Sequence, residues 1–339
     1  MPPASRSRPA VVVFAAVRDE ERDLREAVAS VLEQDYPGPL VVALAVGPSR
    51  DRTAELADEV AQHDPRVVVV PNPTGLTPQG LNLAVRAGIA ALPSSVYLVR
   101  TDGHARLPQG YVRTAVEVLE RTGADNVGGM MVPVGSGGLQ EAVARAMSHP
   151  VGLGGGRFHT GGVEGEGETV YLGAFRRATF ARVGGYDEHW TRAQDWELNL
   201  RLRESGGVVW FTPRLRVEYR PRSSWRALAS QFFRTGQWRR EVVSRYPATA
   251  SPRYLAPPVA VAAMALAVVV ALVGLLAGVP ALLAALVVPG AYLVGVLVAA
   301  VVAGRGLRAR AAWRFPAVLV VMHVCWGAGF LRGGAGRSR

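Results

Sequence analysis

Three features of the sequence predict an α/β domain with a mostly parallel sheet, followed by C-terminal transmembrane helices. Apolar runs alternate with helical patterns between residues 10 and 221, as in parallel sheets. From Ala256 onward the chain is almost wholly apolar, with uncharged stretches of 24 and 23 residues. Each stretch exceeds the ~20 residues that a helix needs to span a bilayer. Between the two parts lies a segment rich in arginine and aromatic residues.

Strand and helix signals alternate in order along the first part. Short apolar runs predict strands at residues 10–16, 40–46, 67–70, 95–99, 124–132, 170–175 and 208–211. Asp19 is expected to cap the first helix, and Thr77 followed by Pro78 to open the third. The alternation with short connections favours a parallel α/β sheet.

The net charge of +11 is unevenly distributed. It is −4 over residues 1–213, +7 over 214–245 and +8 over 246–339. Basic residues beside membrane spans face the cytoplasm and anionic lipid, so nucleic acid is not an expected partner. The single cysteine, Cys325, excludes a disulfide framework and a cysteine-based zinc site. Residues 1–9 lack the apolar core of a signal peptide and are expected to be disordered.

The domain boundaries follow from these patterns. A third span would place the arginine-bearing tail outside, against the positive-inside rule, whereas a re-entrant third segment would remove the conflict. Both alternatives stay open. The expected parts are a catalytic domain at 10–221, an amphipathic interfacial segment at 222–250, a transmembrane region at 256–331 (about 256–279, 281–303 and 315–331) and a tail at 332–339.

A candidate site follows the fourth predicted strand, which ends in Asp102-Gly103-His104. Ligands in open α/β sheets bind at the carboxyl ends of the strands. A carboxylate beside an imidazole suits Mn²⁺ or Mg²⁺. The alternative is that Asp102 and Gly103 form only a turn, with His104 exposed. A second feature is the glycine-rich segment 148–168, which contains His159 and Glu164. Its composition predicts either a functional lid over the acceptor or a disordered loop.

Six short motifs occur in chain order and, taken together, resemble glycosyltransferase family 2. This family comprises inverting nucleotide-sugar transferases with a GT-A fold. The sequence is similar to its membrane-bound branch of succinoglycan-type exopolysaccharide glucosyltransferases. The motifs are Val13-Phe14-Ala15-Ala16-Val17-Arg18-Asp19-Glu20, Ser49-Arg50-Asp51-Arg52-Thr53, Gly80-Leu81-Asn82-Leu83-Ala84, Asp102-Gly103-His104, Val183-Gly184-Gly185-Tyr186-Asp187-Glu188 and Gln194-Asp195-Trp196-Glu197-Leu198-Asn199-Leu200-Arg201-Leu202.

The resemblance implies roles for the donor side of the reaction. Asp195 would be the catalytic base, and Asp102 with His104 would bind a divalent cation, Mn²⁺ or Mg²⁺, and the donor diphosphate. Glu20 and Asp51 would contact the nucleotide, although helix capping also explains both. The sequence departs from the family where Val46 and Gly47 replace acidic residues, the first of which reads the nucleobase in many members.

The predicted membrane hairpin, taken with the resemblance, implies an acceptor and a location. Arg234, Trp238 and His159 would contact diphosphate or the acceptor, with packing at the interface as the alternative for the first two. The expected acceptor is a polyprenyl-linked saccharide in the inner membrane, which the protein would cross several times with its catalytic domain in the cytoplasm. Two other functions stay open, a polyprenyl-phosphate sugar synthase and a non-catalytic membrane scaffold.

Overall fold

The computed structural model describes residues 8–334, so most of the expected disordered N-terminus and residues 335–339 of the expected tail lie outside it. The chain divides into two compact units. The first comprises Met1–Val132 and Gly161–Glu218, and the second comprises Pro133–Thr160 and Tyr219–Arg339.

The first unit is built on an eight-stranded sheet of order β3-β2-β1-β4-β7-β5-β8-β6. Its strands are β1 Ala10–Val17, β2 Leu40–Val46, β3 Val67–Pro71, β4 Ser95–Arg100, β5 Asn126–Pro133, β6 Gly165–Glu166, β7 Tyr171–Arg176 and β8 Val209–Tyr219. Strands β1 to β4 are parallel to one another, and β7 runs antiparallel to both β4 and β5. The predicted α/β fold with a mostly parallel sheet is confirmed.

Six helices complete the described part of this unit. Leu24, Ala27, Val28 and Val31 form the buried stripe of the first of them, as their spacing predicts. The central strand β1 is buried along nearly its whole length, which is why its sequence is apolar throughout. The helices are α1 Leu24–Leu32, α2 Thr53–His63, α3 Thr77–Ala91, α4 Tyr111–Thr122, α8 Arg177–Arg182 and α9 Gln194–Glu204.

Three local predictions are corrected by the structure. Asp19 does not cap α1: it adopts φ +56° and its Oδ1 accepts from the Arg50 amide at 2.8 Å. Thr77 lies inside α3, whose N-cap is Leu76. Strand β8 extends to Tyr219 rather than ending at Phe211, because buried apolar and exposed charged residues continue to alternate beyond Pro213.

The second unit is helical. Three of its helical stretches, Pro252–Leu276, Pro280–Ala303 and Ala309–Arg332, are long and apolar enough to cross a membrane. The amphipathic segment predicted at 222–250 contains a single long helix, Trp225–Arg245. The helices are α5 Gly138–Met147, α6 Pro150–Leu153, α7 Arg157–Thr160, α10 Trp225–Arg245, α11 Pro252–Leu276, α12 Val287–Ala303, α13 Ala309–Ala312 and α14 Phe315–Arg332, with 3₁₀ helices at Pro247–Thr249 and Pro280–Leu286.

Candidate active site

The carboxyl end of β4 delivers the central side chains of the site. The Thr101 amide still donates to the Phe14 carbonyl of β1, and the Ala105 amide then donates to the Asp102 carbonyl, which closes a turn. Asp102-Gly103-His104 is therefore a turn, and it also lies at the edge of the sheet where ligands bind. A side chain at Gly103 would meet the Glu20 and Val17 side chains at 2.9 Å, so glycine allows this close approach.

Glu20 holds the imidazole of His104. The Glu20 carboxylate accepts from Nδ1 of His104 at 2.8 Å, and this bond raises the pKa of the histidine. The Glu20 amide in turn donates to Oγ1 of Thr53 at 2.7 Å. Because Glu20 engages Nδ1, Nε2 is the nitrogen that a metal would bind, as in the carboxylate–histidine pairs around metal sites.

Arg100 joins the two carboxylates that the sequence singles out. Its side chain is only 7% exposed, and Nη2 lies 3.0 Å from Oδ1 of Asp102, while Nη1 forms an ion pair with Asp195. Burial by itself would lower the pKa of Arg100, but Asp195 and Asp102 raise it well above its ordinary value. The guanidinium is thus a permanent buried cation between Asp102 and Asp195.

Sequence reasoning assigned no role to Arg100. A usable signal was present, because a charged residue that ends a run of buried apolar residues must find a partner of opposite charge. The sequence does not predict which residue is that partner, because Asp195 lies 95 residues further along the chain.

Asp195 lies in the first turn of α9, after Ala193 in the left-handed conformation at φ +60°. The loop before it is held by Asn82, whose Oδ1 accepts from the Tyr186 amide at 2.9 Å and whose Nδ2 donates to the Tyr186 carbonyl at 2.8 Å. The Tyr186 ring lies 6.0 Å from the Arg100 guanidinium. The three sequence motifs that contain Asn82, Tyr186 and Asp195 therefore lie close together around Arg100.

Asp51 has a structural role in this state. Its Oδ1 accepts from the Thr53 amide and hydroxyl, at 3.1 and 2.5 Å, and its Oδ2 accepts from the Glu21 amide at 3.0 Å. The Thr53 hydroxyl and these amides lower the pKa of Asp51. The carboxylate thus joins the loop after β1 to the start of α2.

A cleft of about 560 Å³ lies at the carboxyl ends of β2 and β3, on the same edge of the sheet. Val46 and Gly47, the positions that depart from the family pattern, form part of its wall. The volume is typical of a small-molecule site. The cleft is lined by Val46, Gly47, Pro48, Ser49, Ala54, Asp58, Val69, Val70, Pro71, Asn72 and Pro73.

The predicted acceptor residues belong to the second unit. On α10, Arg234 is exposed and Trp238 is buried. His159 lies in α7, and burial lowers its pKa to about 4. Glu164, from the same glycine-rich segment, belongs to the first unit, where its carboxylate accepts from Trp210 and Thr212 at 3.0 Å and pairs with Arg121.

The part of the chain that the structure describes contains no complete cluster of metal-binding side chains. Within residues 8–334, no three His, Cys, Asp or Glu side chains are grouped so that they could hold a metal ion. Asp102 and His104 could therefore supply only two of the ligands of a metal ion. That number fits Mg²⁺ or Mn²⁺ bound together with substrate phosphates and water, but not a closed structural site.

The chain is 34% identical over 297 residues to the succinoglycan biosynthesis protein ExoA of Rhizobium meliloti (strain 1021), which covers 86% of this chain and 84% of that protein. The crystal structure of S. aureus TarS 1–349 in complex with UDP-GlcNAc is similar in fold, with a TM-score of 0.50 and 13% identity. That match covers 66% of this chain and 65%, less than two thirds, of TarS 1–349.

The family assignment follows from the sequence match. The model of glycosyl transferase family 2 matches residues 12–184, which include most of β1, the turn after β4 and Gly184. This agrees with the family expected from the six motifs. The chain belongs to glycosyl transferase family 2.

Proposed function

We propose that this protein is an inverting glycosyltransferase that transfers a sugar from a nucleotide-diphosphate donor to a polyprenyl-linked saccharide in exopolysaccharide synthesis. The observation that carries the proposal is the Arg100 bridge, which holds Asp195 and Asp102 on one guanidinium at the ligand-binding edge of the sheet. The similarity to ExoA supports the exopolysaccharide assignment.

Asp195 is the proposed base. Its side chain is 37% exposed, so the carboxylate can meet an acceptor hydroxyl, while Arg100 limits its orientation. The carboxylate takes the proton as the hydroxyl oxygen bonds to the anomeric carbon, and the bond from that carbon to the donor diphosphate breaks on the opposite face. One step of this kind inverts the anomeric centre, and a positioned base contributes 10²–10⁴-fold to such a rate.

The leaving diphosphate gains negative charge in this step. Asp102 and His104 are the residues that would hold a divalent cation, Mn²⁺ or Mg²⁺, and this cation would neutralise that charge. Glu20 fixes the His104 ring for this purpose. The cleft beside Val46 and Gly47 is the proposed place of the nucleobase, which would meet an apolar wall there instead of a carboxylate.

Membrane attachment is part of the proposal. The second unit carries 17 arginines against two glutamates and contains the three apolar stretches. Such a unit suits the cytoplasmic face of an inner membrane, where anionic lipids attract basic residues. It would bring the catalytic unit to a lipid-linked acceptor, with Arg234, Trp238 and His159 as candidate contacts.

The test uses the 339-residue chain in lipid nanodiscs, with a panel of nucleotide sugars, Mn²⁺ and a polyprenyl-diphosphate saccharide as the acceptor. Asp195→Asn should lower the transfer rate at least 10²-fold. Glu204→Gln, which changes an exposed acid of the same helix, should leave the rate at the wild-type value. Equal rates for both variants would refute the base assignment. Mass spectrometry of the lipid product, with polyprenyl phosphate as the competing acceptor, distinguishes the transferase from a polyprenyl-phosphate sugar synthase.

A further inference from the structure

The buried Arg100 guanidinium uses only two of its three nitrogens in the ion pairs with the two carboxylates. Nη1 faces Asp195 and Nη2 faces Asp102. The third nitrogen, Nε, is also buried, and no residue between 8 and 334 gives it a hydrogen bond. Buried N–H groups almost always have a partner, so an unpaired Nε in the middle of a charged site requires an explanation.

A second unpaired polar group is the hydroxyl of Tyr186, on the loop before α9. Tyr186 is only 2% exposed, and its hydroxyl oxygen is buried without a hydrogen-bond partner in the described chain. Tyr111, a buried tyrosine of the same unit, shows the usual arrangement, because its hydroxyl donates to the Leu172 carbonyl at 3.2 Å. The Tyr186 hydroxyl lacks the bond that would offset its desolvation.

These two unpaired groups are neighbours. The Tyr186 ring centroid lies 6.0 Å from the guanidinium carbon of Arg100. Burial and then the Asp195 carboxylate raise the pKa of the Tyr186 hydroxyl, and the Arg100 guanidinium opposes that rise. The hydroxyl therefore keeps its proton at neutral pH. A neutral phenol oxygen is a suitable acceptor for the N–H of a cationic guanidinium.

The position of the Tyr186 ring is fixed independently of its hydroxyl. Asn82 binds both the amide and the carbonyl of Tyr186. The carbonyl of the preceding residue, Gly185, accepts from Nη2 of Arg201 at 2.8 Å. The ring packs edge-to-face on Phe180, with 5.7 Å between the centroids. A phenylalanine could make all of these contacts, so packing does not require the hydroxyl.

We infer that Tyr186 is a positioning residue, whose hydroxyl accepts from Nε of Arg100 in the working site and so fixes the guanidinium that holds Asp195. The inference rests on the proposed function and adds a third contact to the Arg100 bridge. Both groups are buried in the same place, so the bond needs no partner from solvent.

A third contact limits how the guanidinium can move. Bonds from Nη1 and Nη2 alone leave the planar group free to tilt about the line through those two nitrogens, and the Asp195 carboxylate would tilt with it. Nε lies off that line, so a bond at Nε stops the tilt. Such fixation at three points depends on the planar arrangement of donors in arginine, which a lysine ammonium lacks.

The expected effect is on the rate of the chemical step and not on substrate binding. Because the hydroxyl oxygen is buried, it contacts no substrate and acts only through Arg100. One hydrogen bond to a charged group is worth about 10–100-fold in an equilibrium. We expect about a tenfold effect on the rate, because Asp102 and Asp195 still hold the guanidinium.

The test compares Tyr186→Phe with Tyr111→Phe, which removes a buried hydroxyl that does have a partner. Single-turnover transfer is measured over a range of donor concentrations, together with thermal unfolding. Tyr186→Phe should lower the maximal rate about tenfold, with an unchanged donor concentration for half-maximal rate and a nearly unchanged melting temperature. Tyr111→Phe should lower the melting temperature and leave the rate unchanged, because its hydrogen bond supports only the fold.

A double-mutant cycle shows whether the effect passes through Arg100. Arg100→Met has no Nε–H to donate, so Tyr186→Phe should cost no further rate in that background. The same tenfold loss in both backgrounds would show that the hydroxyl acts by another route, and would overturn the inference.

Three further results would also overturn it. A wild-type rate in Tyr186→Phe would show that the hydroxyl is not used. A higher donor concentration for half-maximal rate, with the maximal rate unchanged, would show that the hydroxyl binds the donor instead. A melting temperature as low as that of Tyr111→Phe, with an unchanged rate, would show a purely structural role. Absence of sugar transfer by the wild-type chain would refute the proposed function itself, and the inference with it.

Discussion

Replacing Arg100 with methionine tests the centre of the proposed site. Methionine fills much of the same volume without a charge or a donor. The substitution leaves Asp102 and Asp195, whose side chains are 24% and 37% exposed, without their shared cation. Since both carboxylates can be rehydrated, we expect the protein to fold. The orientation of Asp195 should be lost.

The effect on stability should be smaller than the effect on rate. Two hydrogen bonds to charged groups are each worth about 1.5–3 kcal/mol, but the desolvation of a buried guanidinium costs several kcal/mol and offsets most of this. We expect the free energy of unfolding to fall by about 1–2 kcal/mol, below the ~3–5 kcal/mol of a fully buried pair. The turnover rate should fall about 10²-fold, because an unpositioned base loses most of its 10²–10⁴-fold contribution.

The assay is single-turnover transfer at saturating donor in a double-mutant cycle. If Arg100 acts through Asp195, Arg100→Met should cost little in the Asp195→Asn background. Arg100→Lys, which keeps the charge without the planar fork, should lie between wild type and Arg100→Met. Arg106→Met removes a half-exposed arginine paired with Glu26 after the same strand, and should retain full activity.

Two results would refute this reasoning. A wild-type rate in Arg100→Met would show that the bridge does not matter for transfer. The same fold-loss in the wild-type and Asp195→Asn backgrounds would show that Arg100 acts independently of that carboxylate.

The remaining predictions concern the metal, a pH dependence and a close backbone contact. Glu20→Gln should raise the Mn²⁺ concentration for half-maximal activity by about 10–100-fold, since it frees the His104 imidazole that we propose binds the metal, whereas Glu21→Gln should leave that concentration unchanged. Burial would raise the pKa of Glu164, but three hydrogen-bond donors outweigh it and lower that pKa in the folded protein. The carboxylate therefore contributes its full stabilisation above the unfolded-state pKa of about 4.3, and this contribution is lost as the pH falls through the lower folded-state pKa. Glu164→Gln should therefore have a lower melting temperature than the wild type at pH 7, and the difference between the two melting temperatures should become smaller below pH 4. A difference that does not change with pH would contradict this. Gly129→Ala should cost about 1–3 kcal/mol in a denaturant titration, because its Cβ would lie 1.8 Å from a carbonyl oxygen of β8, whereas Gly137→Ala, with open space, should cost little.

Local chemistry made much of the fold readable from the sequence. Buried strands must be apolar and amphipathic helices must repeat every 3.6 residues, so the position of nearly every strand was predictable. The errors occurred at boundaries. Asp19 has the chemistry of a helix cap, yet a tertiary contact with the Arg50 amide holds it outside α1.

The candidate site was only partly predictable for the same reason. The place of Asp102 at the end of a strand follows from its neighbours in sequence, and Asp195 follows from a motif. Their connection through Arg100 does not, because a strand and a helix distant in sequence must first be brought together.

The sequence by itself determined the family, the mostly parallel sheet and the apolar C-terminal stretches, because each depends on residues close together in the chain. Only the tertiary structure decided that Asp102 and Asp195 share one buried cation, the Arg100 guanidinium, and that the Asp51 carboxylate accepts hydrogen bonds from the backbone amides of Glu21 and Thr53. It also decided which elements surround α14. Hydropathy measures how apolar a helix is, whereas its contacts show whether that surface is turned to lipid or covered by protein.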